Sequence, residues 1–256
     1  MDSYTFVFSG QGSQYTGMCK ELYQKSDAAK KNFDMADDIL KFKISELCFF
    51  GDEKLLSDTI NAQLAVFTTS CAQMEDFFQN HNYFPKFVAG NSVGEYAALV
   101  CAGVLTFKDA LLLVKTRSEL MCKAAENKNG AMAVIRNIDL SIVQDELEKQ
   151  NQIGKSVYIS NYNGLNNVVV SGVKDNVLLL CDKLKSHQAE VITLKVSSAF
   201  HSPLMQEAAD KFADEIEKYT FSTAKCSIMS NVSGEPYQSV QEIKQTLAIQ
   251  IICPVK

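Results

Sequence analysis

The sequence predicts an α/β protein in which a large domain built on a parallel sheet carries a smaller, inserted α+β subdomain. Three observations predict it. An apolar, aromatic run, "YTFVFSG" at residues 4–10, is matched in form by "FPKFVAG" at 84–90, and helix-forming stretches lie between them. The second run feeds the tight turn Gly90-Asn91-Ser92-Val93-Gly94 and then a helix-forming segment, "EYAALV". Residues 131–196 spell strand, helix, strand, strand, helix, strand, the split βαβ order of a ferredoxin-like unit.

Taken in order, the two apolar runs closed by glycine read as buried strands ending in tight loops. "MCKELYQKSDAAKKNFDMADDIL" and "NAQLAVFTTSCAQMEDFFQNH" lie between them as helices, so the strands are joined by helical crossovers and run parallel. After the helix "TFKDALLLVKTRSELMCKAAEN" the texture changes. "GAMAVIRN" is a strand, "LSIVQDELEKQ" a helix, "VYISNYN" and "NNVVVSG" strands, "KDNVLLLCDKLKSHQ" a helix and "EVITLKV" a strand. This assigns 131–196 to the small subdomain, and 1–130 with 197–256 to the large domain. From Ser197 two further helical stretches follow, and "KCSIMSNVSG" contributes a strand that rejoins the main sheet.

A chain of 256 residues with 46% hydrophobic content can bury a large core. Its net charge of -5 is dispersed, with no basic stripe for nucleic acid and no long run of like charge. No apolar segment approaches the ~18 residues that span a bilayer, and the N-terminus lacks a leader pattern, so we expect a cytoplasmic protein without membrane contact; a monomer fits the sequence, which leaves the oligomeric state open. Eight cysteines are scattered without a C-x-x-C pair, several within apolar runs, and read as small buried hydrophobes in a reducing compartment. With only His81, His187 and His201 in the chain, a histidine-based metal site is not expected.

The chemistry centres on the turn at 90–94. Strand, G-x-S-x-G and helix form the nucleophile elbow of α/β-hydrolase-like domains, in which a turn too tight for flanking side chains leaves the serine hydroxyl standing clear. The following helix aims free N–H groups and its positive dipole end at that oxygen. An ordinary glycine-rich turn with an incidental serine fits the same five residues. A serine nucleophile needs a positioned base and oxyanion donors. His201, in "SSAFHSPLM", is the best candidate base, because His187 and His81 sit in polar, surface-like segments. Arg117 interrupts the otherwise apolar "ALLLVKTRSELM"; it either snorkels to solvent, pairs with a neighbour such as Glu119, or binds an anion.

The chain resembles the malonyl-CoA:acyl-carrier-protein transacylases, and is closest in kind to the discrete acyltransferases of polyketide synthases. The resemblance runs through "FVFSGQGSQYTGM", "GNSVGEYAAL", "TRSELM", "GAMAVI", "SNYNGLNNVVVSG", "SSAFHSPLM", "SNVSGEPY" and "QIICPVK", in that order. It covers nearly the whole chain, and the family continues for a few tens of residues beyond. The resemblance implies that Ser92 accepts a malonyl group from malonyl-CoA and passes it to the phosphopantetheine thiol of an acyl carrier protein, with no bound cofactor. It also implies His201 as the base and Gln250 as the residue that orients it through a backbone carbonyl, with Asn231 supporting the same neighbourhood. Gln11 and Val93 would supply the oxyanion-hole N–H groups, Arg117 would grip the malonyl carboxylate, and Gln63 would line the cleft. Phe200 matches the bulky residue of malonyl-selective members.

Three departures from the family pattern stand out: Asn91 replaces a histidine, Ser9 replaces a proline, and "AQLAV" replaces "TQPAL". Asparagine tolerates unusual backbone angles, so the elbow is still expected to form. Two other classes compete with the transferase. A hydrolase on the same fold clears stalled acyl chains but typically lacks the carboxylate-binding arginine. A catalytically impaired docking module would keep the fold but not the chemistry; the presence of Ser92, His201 and Gln11 counts against it, and Asn91 in the elbow leaves it open.

Overall fold

The computed structural model describes residues 4–126, 128–194, 196 and 198–256. Its strands are β1 (Thr5–Phe8), β2 (Phe87–Gly90), β3 (Gly130–Arg136), β4 (Val157–Gly164), β5 (Asn167–Val173), β6 (Glu190–Thr193) and β7 (Ser227–Ile228). Its α-helices are α1 (Lys20–Lys25), α2 (Asp27–Leu40), α3 (Ile44–Phe50), α4 (Glu53–Leu56), α5 (Thr59–Asn80), α6 (Gly94–Cys101), α7 (Phe107–Ala125), α8 (Leu140–Gln152), α9 (Lys174–Ser186), α10 (Gln206–Ile216) and α11 (Val240–Ile249). The chain divides into two compact units, residues 1–119 with 214–244 and residues 120–213 with 245–256.

In the first unit β1, β2 and β7 form a parallel sheet in the order β1-β2-β7, with Thr5 opposite Phe87 and Phe87 opposite Ser227. Helices α1–α5 provide the long connection that two parallel neighbours require. The first expected helical run is broken at Ser26, which is extended at φ -119° and caps α2 by accepting from the Ala29 N–H. Asp58 caps α5 in the same way, through Ile60 N–H. Burial reaches most of the way around α5, taking in Gln63, Leu64, Val66, Phe67, Thr68 and Cys71. This marks it as a core helix rather than an amphipathic surface one.

In the second unit β3–β6 form an antiparallel sheet in the order β4-β5-β3-β6, the strand order of a ferredoxin-like fold. One face packs under α8 and α9 through a core that includes Ala133, Ile135, Val143, Val170, Val177, Leu180 and Leu184. The unit is wider than the 131–196 span read from the sequence; Ser197, where the large domain is expected to resume, lies outside the described residues. Asn161 bridges Val255, with Tyr162 N–H donating to Val255 O at 2.8 Å, so the C-terminal segment joins β4. Gly130 lies so close to the backbone of Ser198 and Ala199 that a Cβ would approach to 2.6 Å, and Lys128 Nζ donates to Leu204 O at 2.8 Å.

All eight cysteines carry free thiols. Burial pushes the thiols of Cys19 and Cys181 up to about 11 and those of Cys48 and Cys101 up to about 12, so they stay protonated and unreactive near neutral pH. Among the described residues no helix is long and apolar enough to cross a membrane, and no cluster of three or more His, Cys, Asp or Glu could hold a metal.

Candidate active site

The elbow forms where β2 ends at Gly90 and α6 begins at Gly94. Ser92 takes φ +53°, a left-handed conformation that costs a non-glycine residue about 1–3 kcal/mol and persists only when its surroundings over-determine it. The glycines flanking it are required by space. A Cβ on Gly90 would overlap the Gly94 carbonyl and the Glu95 nitrogen, and one on Gly94 would overlap the Phe8 carbonyl oxygen. Backbone bonds fasten the turn: Asn91 N–H donates to Phe8 O at 3.0 Å and Gly94 N–H to Asn91 O at 2.9 Å.

Asn231 completes the hold. Its Oδ1 accepts from Ser92 N–H at 2.6 Å and its Nδ2 donates to Gly90 O at 2.6 Å. Asn231 is thus a clamp on the elbow, whereas the resemblance grouped it with the orientation of His201. Asn91 itself is exposed, and its Oδ1 lies where a Cβ on Gly10 would come within 2.6 Å. The residue that departs from the family pattern therefore faces the first loop rather than the core. Restoring an imidazole with Asn91→His is expected to leave the acylation rate of Ser92 within about tenfold of the parent, or ~1.4 kcal/mol, as read by quenched intact-mass kinetics.

Arg117, on α7, is fully buried. Its Nη2 donates to Ser92 Oγ at 2.9 Å and its Nη1 to Gln63 Oε1 at 2.6 Å; its guanidinium carbon lies 5.8 Å from the centre of the Tyr96 ring. Snorkelling is ruled out by that burial, and Glu119 is exposed. Burial lowers the Arg117 pKa from the ordinary arginine range, and Tyr96 and Glu95 offset part of the fall. With an ordinary pKa above ~12 the group stays a cation.

Gln63 ties this cation to the loop after β1: its Nε2 donates to Gln11 Oε1 at 3.3 Å, and Gln11 Nε2 donates to Thr59 Oγ1 at 3.4 Å. The loop is pinned further by Ser13 Oγ to Gly10 O and by Gln14 Oε1 accepting from Gly12 N–H, both 2.8 Å. Gln11 therefore has a fixed side chain, which holds its backbone in place. Val93 stands at the N-terminal cap of α6, and the N–H groups that follow it are taken up by the turn: Gly94 on Asn91 O, Glu95 on Ser92 O and Tyr96 on Val93 O.

The second unit holds the histidine. His201 is nearly buried, at φ +55°, and its Nδ1 lies 2.7 Å from Gln250 O. A carbonyl oxygen only accepts, so Nδ1 carries the proton and Nε2 is the basic nitrogen. Ser202 Oγ donates to Ala199 O at 2.6 Å and fixes the turn around His201. Phe200 and Gln250 are buried.

Residues 5–250 match the family described as the acyl transferase domain. The chain belongs to this family. It is 40% identical over 257 residues to the malonyl CoA-acyl carrier protein transacylase of Bacillus subtilis (strain 168), covering 100% of this chain and 81% of that protein. A transacylase of the same name from Staphylococcus aureus (strain MRSA252) is 34% identical, over 100% of this chain and 82% of the relative. Among solved structures, a type II polyketide-synthase acyl-carrier protein in complex with its malonyl-transacylase aligns at a TM-score of 0.95 and 34% identity, over 100% of this chain and 82% of that one. The malonyl CoA-acyl carrier protein transacylase of Coxiella burnetii aligns at 0.95 and 32%, over 99% and 80%. The acyl transferase fold thus accounts for the parallel sheet with its elbow and for the separate antiparallel sheet.

Sequence reasoning missed Glu95 and Tyr237 of this acyl transferase. Glu95 is fully buried, and its Oε1 accepts from Asn231 N–H at 3.1 Å and from Tyr237 OH at 2.7 Å. Burial, reinforced by Glu95, pushes the Tyr237 phenol well above its ordinary range, which keeps it a neutral donor. In the sequence Glu95 reads only as an acidic residue in the first turn of a helix, where the dipole favours it.

Proposed function

We propose that the protein moves a malonyl group from malonyl-CoA to the phosphopantetheine thiol of an acyl carrier protein, through an ester on Ser92, for polyketide or fatty-acid assembly. The observation that carries this reading is the fully buried Arg117 with one guanidinium nitrogen on Ser92 Oγ. A buried cation at a nucleophile selects an acyl group that brings its own negative charge. The relatives' names agree with this choice of donor, and the neighbour solved with its acyl-carrier protein agrees with the acceptor.

In the first half-reaction Ser92 Oγ attacks the thioester carbonyl while His201 Nε2 takes the hydroxyl proton. The carbonyl oxygen becomes an oxyanion, held by the N–H groups of Gln11 and Val93. The tetrahedral intermediate then collapses: the C–S bond breaks, and the departing CoA thiolate receives the proton from His201. The second half-reaction runs the same steps in reverse with the carrier's thiol. Gln250, through its carbonyl, keeps the His201 ring in the tautomer with Nε2 free of hydrogen. No cofactor enters the scheme. The cytoplasm is the setting we assign, since all eight thiols are free and CoA thioesters are made there.

The test is intact mass after incubation with malonyl-CoA, acetyl-CoA and methylmalonyl-CoA, with and without carrier protein. Malonyl is expected to accumulate on the enzyme and to leave when the holo carrier is added. Label that departs as free malonate at the same rate without the carrier would identify a hydrolase. We assign Phe200 to the wall beside the acyl α-carbon. Phe200→Ser is therefore expected to relax the preference for malonyl over methylmalonyl by about 1–3 kcal/mol, the scale of one methyl-sized clash, measured by competition between the two thioesters. An unchanged ratio would assign that wall to another residue.

A further inference from the structure

We propose that Glu95 is a positioning residue for the nucleophile: it acts on Ser92 through Asn231, and Tyr237 holds it in the arrangement that does so. The inference rests on Ser92 being the acyl-accepting residue. Ser92 sits at φ +53°, and a strained backbone of this kind relaxes unless it is held. The hold comes from the Asn231 side chain, which bonds Ser92 N–H and Gly90 O, both at 2.6 Å. An amide side chain can aim at both sides of a turn only if its own backbone is fixed.

That backbone is fixed by Glu95, whose Oε1 accepts from Asn231 N–H at 3.1 Å. Glu95 directly follows Gly94, the first residue of the helix that opens from the elbow. The contacts therefore close a ring: from Ser92 along the chain to Glu95, across to Asn231, and back to the Ser92 N–H. Strain at Ser92 cannot relax without breaking a bond in this ring. Tyr237 OH donates to the same Oε1 at 2.7 Å, converging with the Asn231 bond on one oxygen. The intervening turn is a built one, with a Met229–Pro236 bridge, Ser230 N–H on Glu235 O and Tyr237 N–H on Ile228 O.

The transfer scheme gives Glu95 no proton to move and no substrate to bind. A fully buried carboxyl group is costly unless hydrogen bonds hold it, and the bonds from Asn231 N–H and Tyr237 OH tie it to the clamp on the nucleophile. Its effect should fall on the geometry of attack, where a displacement of about 1 Å can cost on the order of a hundredfold in rate. Recognition of the malonyl carboxylate, which we assign to Arg117, should be spared.

The test is a double-mutant cycle read on the rate constant for acylation by malonyl-CoA, followed by quenched-flow intact mass. Asn231→Ala and Glu95→Ala are each expected to slow acylation roughly 10- to 100-fold. The double variant is expected to lie within about twofold of the slower single variant, since residues acting in series are not additive. Glu95→Gln, which keeps an acceptor oxygen, is expected to recover most of the loss. KM and the malonyl-over-acetyl preference are expected to stay at the parent's values throughout. If Glu95→Ala does not fold, Tyr237→Phe takes its place in the cycle with the same expected non-additivity. Multiplying effects, a loss carried by KM, or a shifted acyl preference would overturn the proposal. Peptide mapping of the parent separates the two levels: label away from Ser92 sinks the transferase reading, whereas label on Ser92 with multiplying effects sinks only the role of Glu95.

Discussion

Ser92→Ala should carry no malonyl group after incubation with malonyl-CoA, and transfer to carrier protein should fall on the order of 10⁶-fold, as when a serine nucleophile is removed from a hydrolytic site. The variant should nonetheless fold. The bonds that fasten the elbow use the Ser92 backbone, with Asn231 Oδ1 on its N–H and Glu95 N–H on its carbonyl. Alanine meets the same left-handed backbone cost as serine, since both carry a Cβ. What is lost is Oγ, and with it one of the hydrogen bonds of the Arg117 cation at 2.9 Å, about 1.5–3 kcal/mol for a bond to a charged group. A near-parental melting temperature together with a blank mass spectrum is the expected pair of results. Undiminished label, or label mapped to another residue, would remove Ser92 from the mechanism.

The parts legible in the sequence were those that local sterics or composition dictate. Gly90 and Gly94 announce the elbow because no side chain fits at either position, and a strand followed by a helix gives them context. Arg117 was conspicuous as a charge in an apolar helix, yet its contact with Ser92 spans 25 positions of sequence and no periodicity reports it. Asn231 was found as part of a motif but grouped with the histidine. Its true partners, Gly90 O and Ser92 N–H, lie about 140 positions away in a turn, and a motif does not say which way an amide points. Glu95 was hidden for the opposite reason: an acid in a first helical turn is already explained by the dipole. The small subdomain is legible as its succession of strands and helices, whereas the C-terminal segment that joins β4 is not. The bridge from Asn161 to Val255 is one residue pair, too short to leave a pattern. Likewise, the break between α1 and α2 rests on the extended backbone of a single cap, Ser26.

Arg117→Ala should separate transferase from hydrolase and from docking module. Malonyl carries a carboxylate toward a side chain that is fully buried, and an uncompensated buried charge is expensive, so the cation should govern the choice of acyl group. Breaking such a pair costs about 3–5 kcal/mol, on the order of 10²- to 10⁴-fold in kcat/KM for malonyl-CoA. Acetyl-CoA has no carboxylate to orphan. Its loss should be limited to the bond from Nη2 to Ser92 Oγ, about 10- to 100-fold for one hydrogen bond from a cation. The preference for malonyl over acetyl should therefore collapse while Ser92 remains acylatable. Arg117→Lys should recover only part of the malonyl rate, because an ammonium cannot reach Gln63 and an anion with the planar fork that Nη1 and Nη2 provide. In the parent, that fork should hold the malonyl ester against water until the carrier's thiol arrives. Equal losses for acetyl and malonyl would confine Arg117 to a supporting role at Ser92 and remove the basis for malonyl selection. Free malonate released by the parent as fast as it loads carrier protein would instead make the protein a hydrolase.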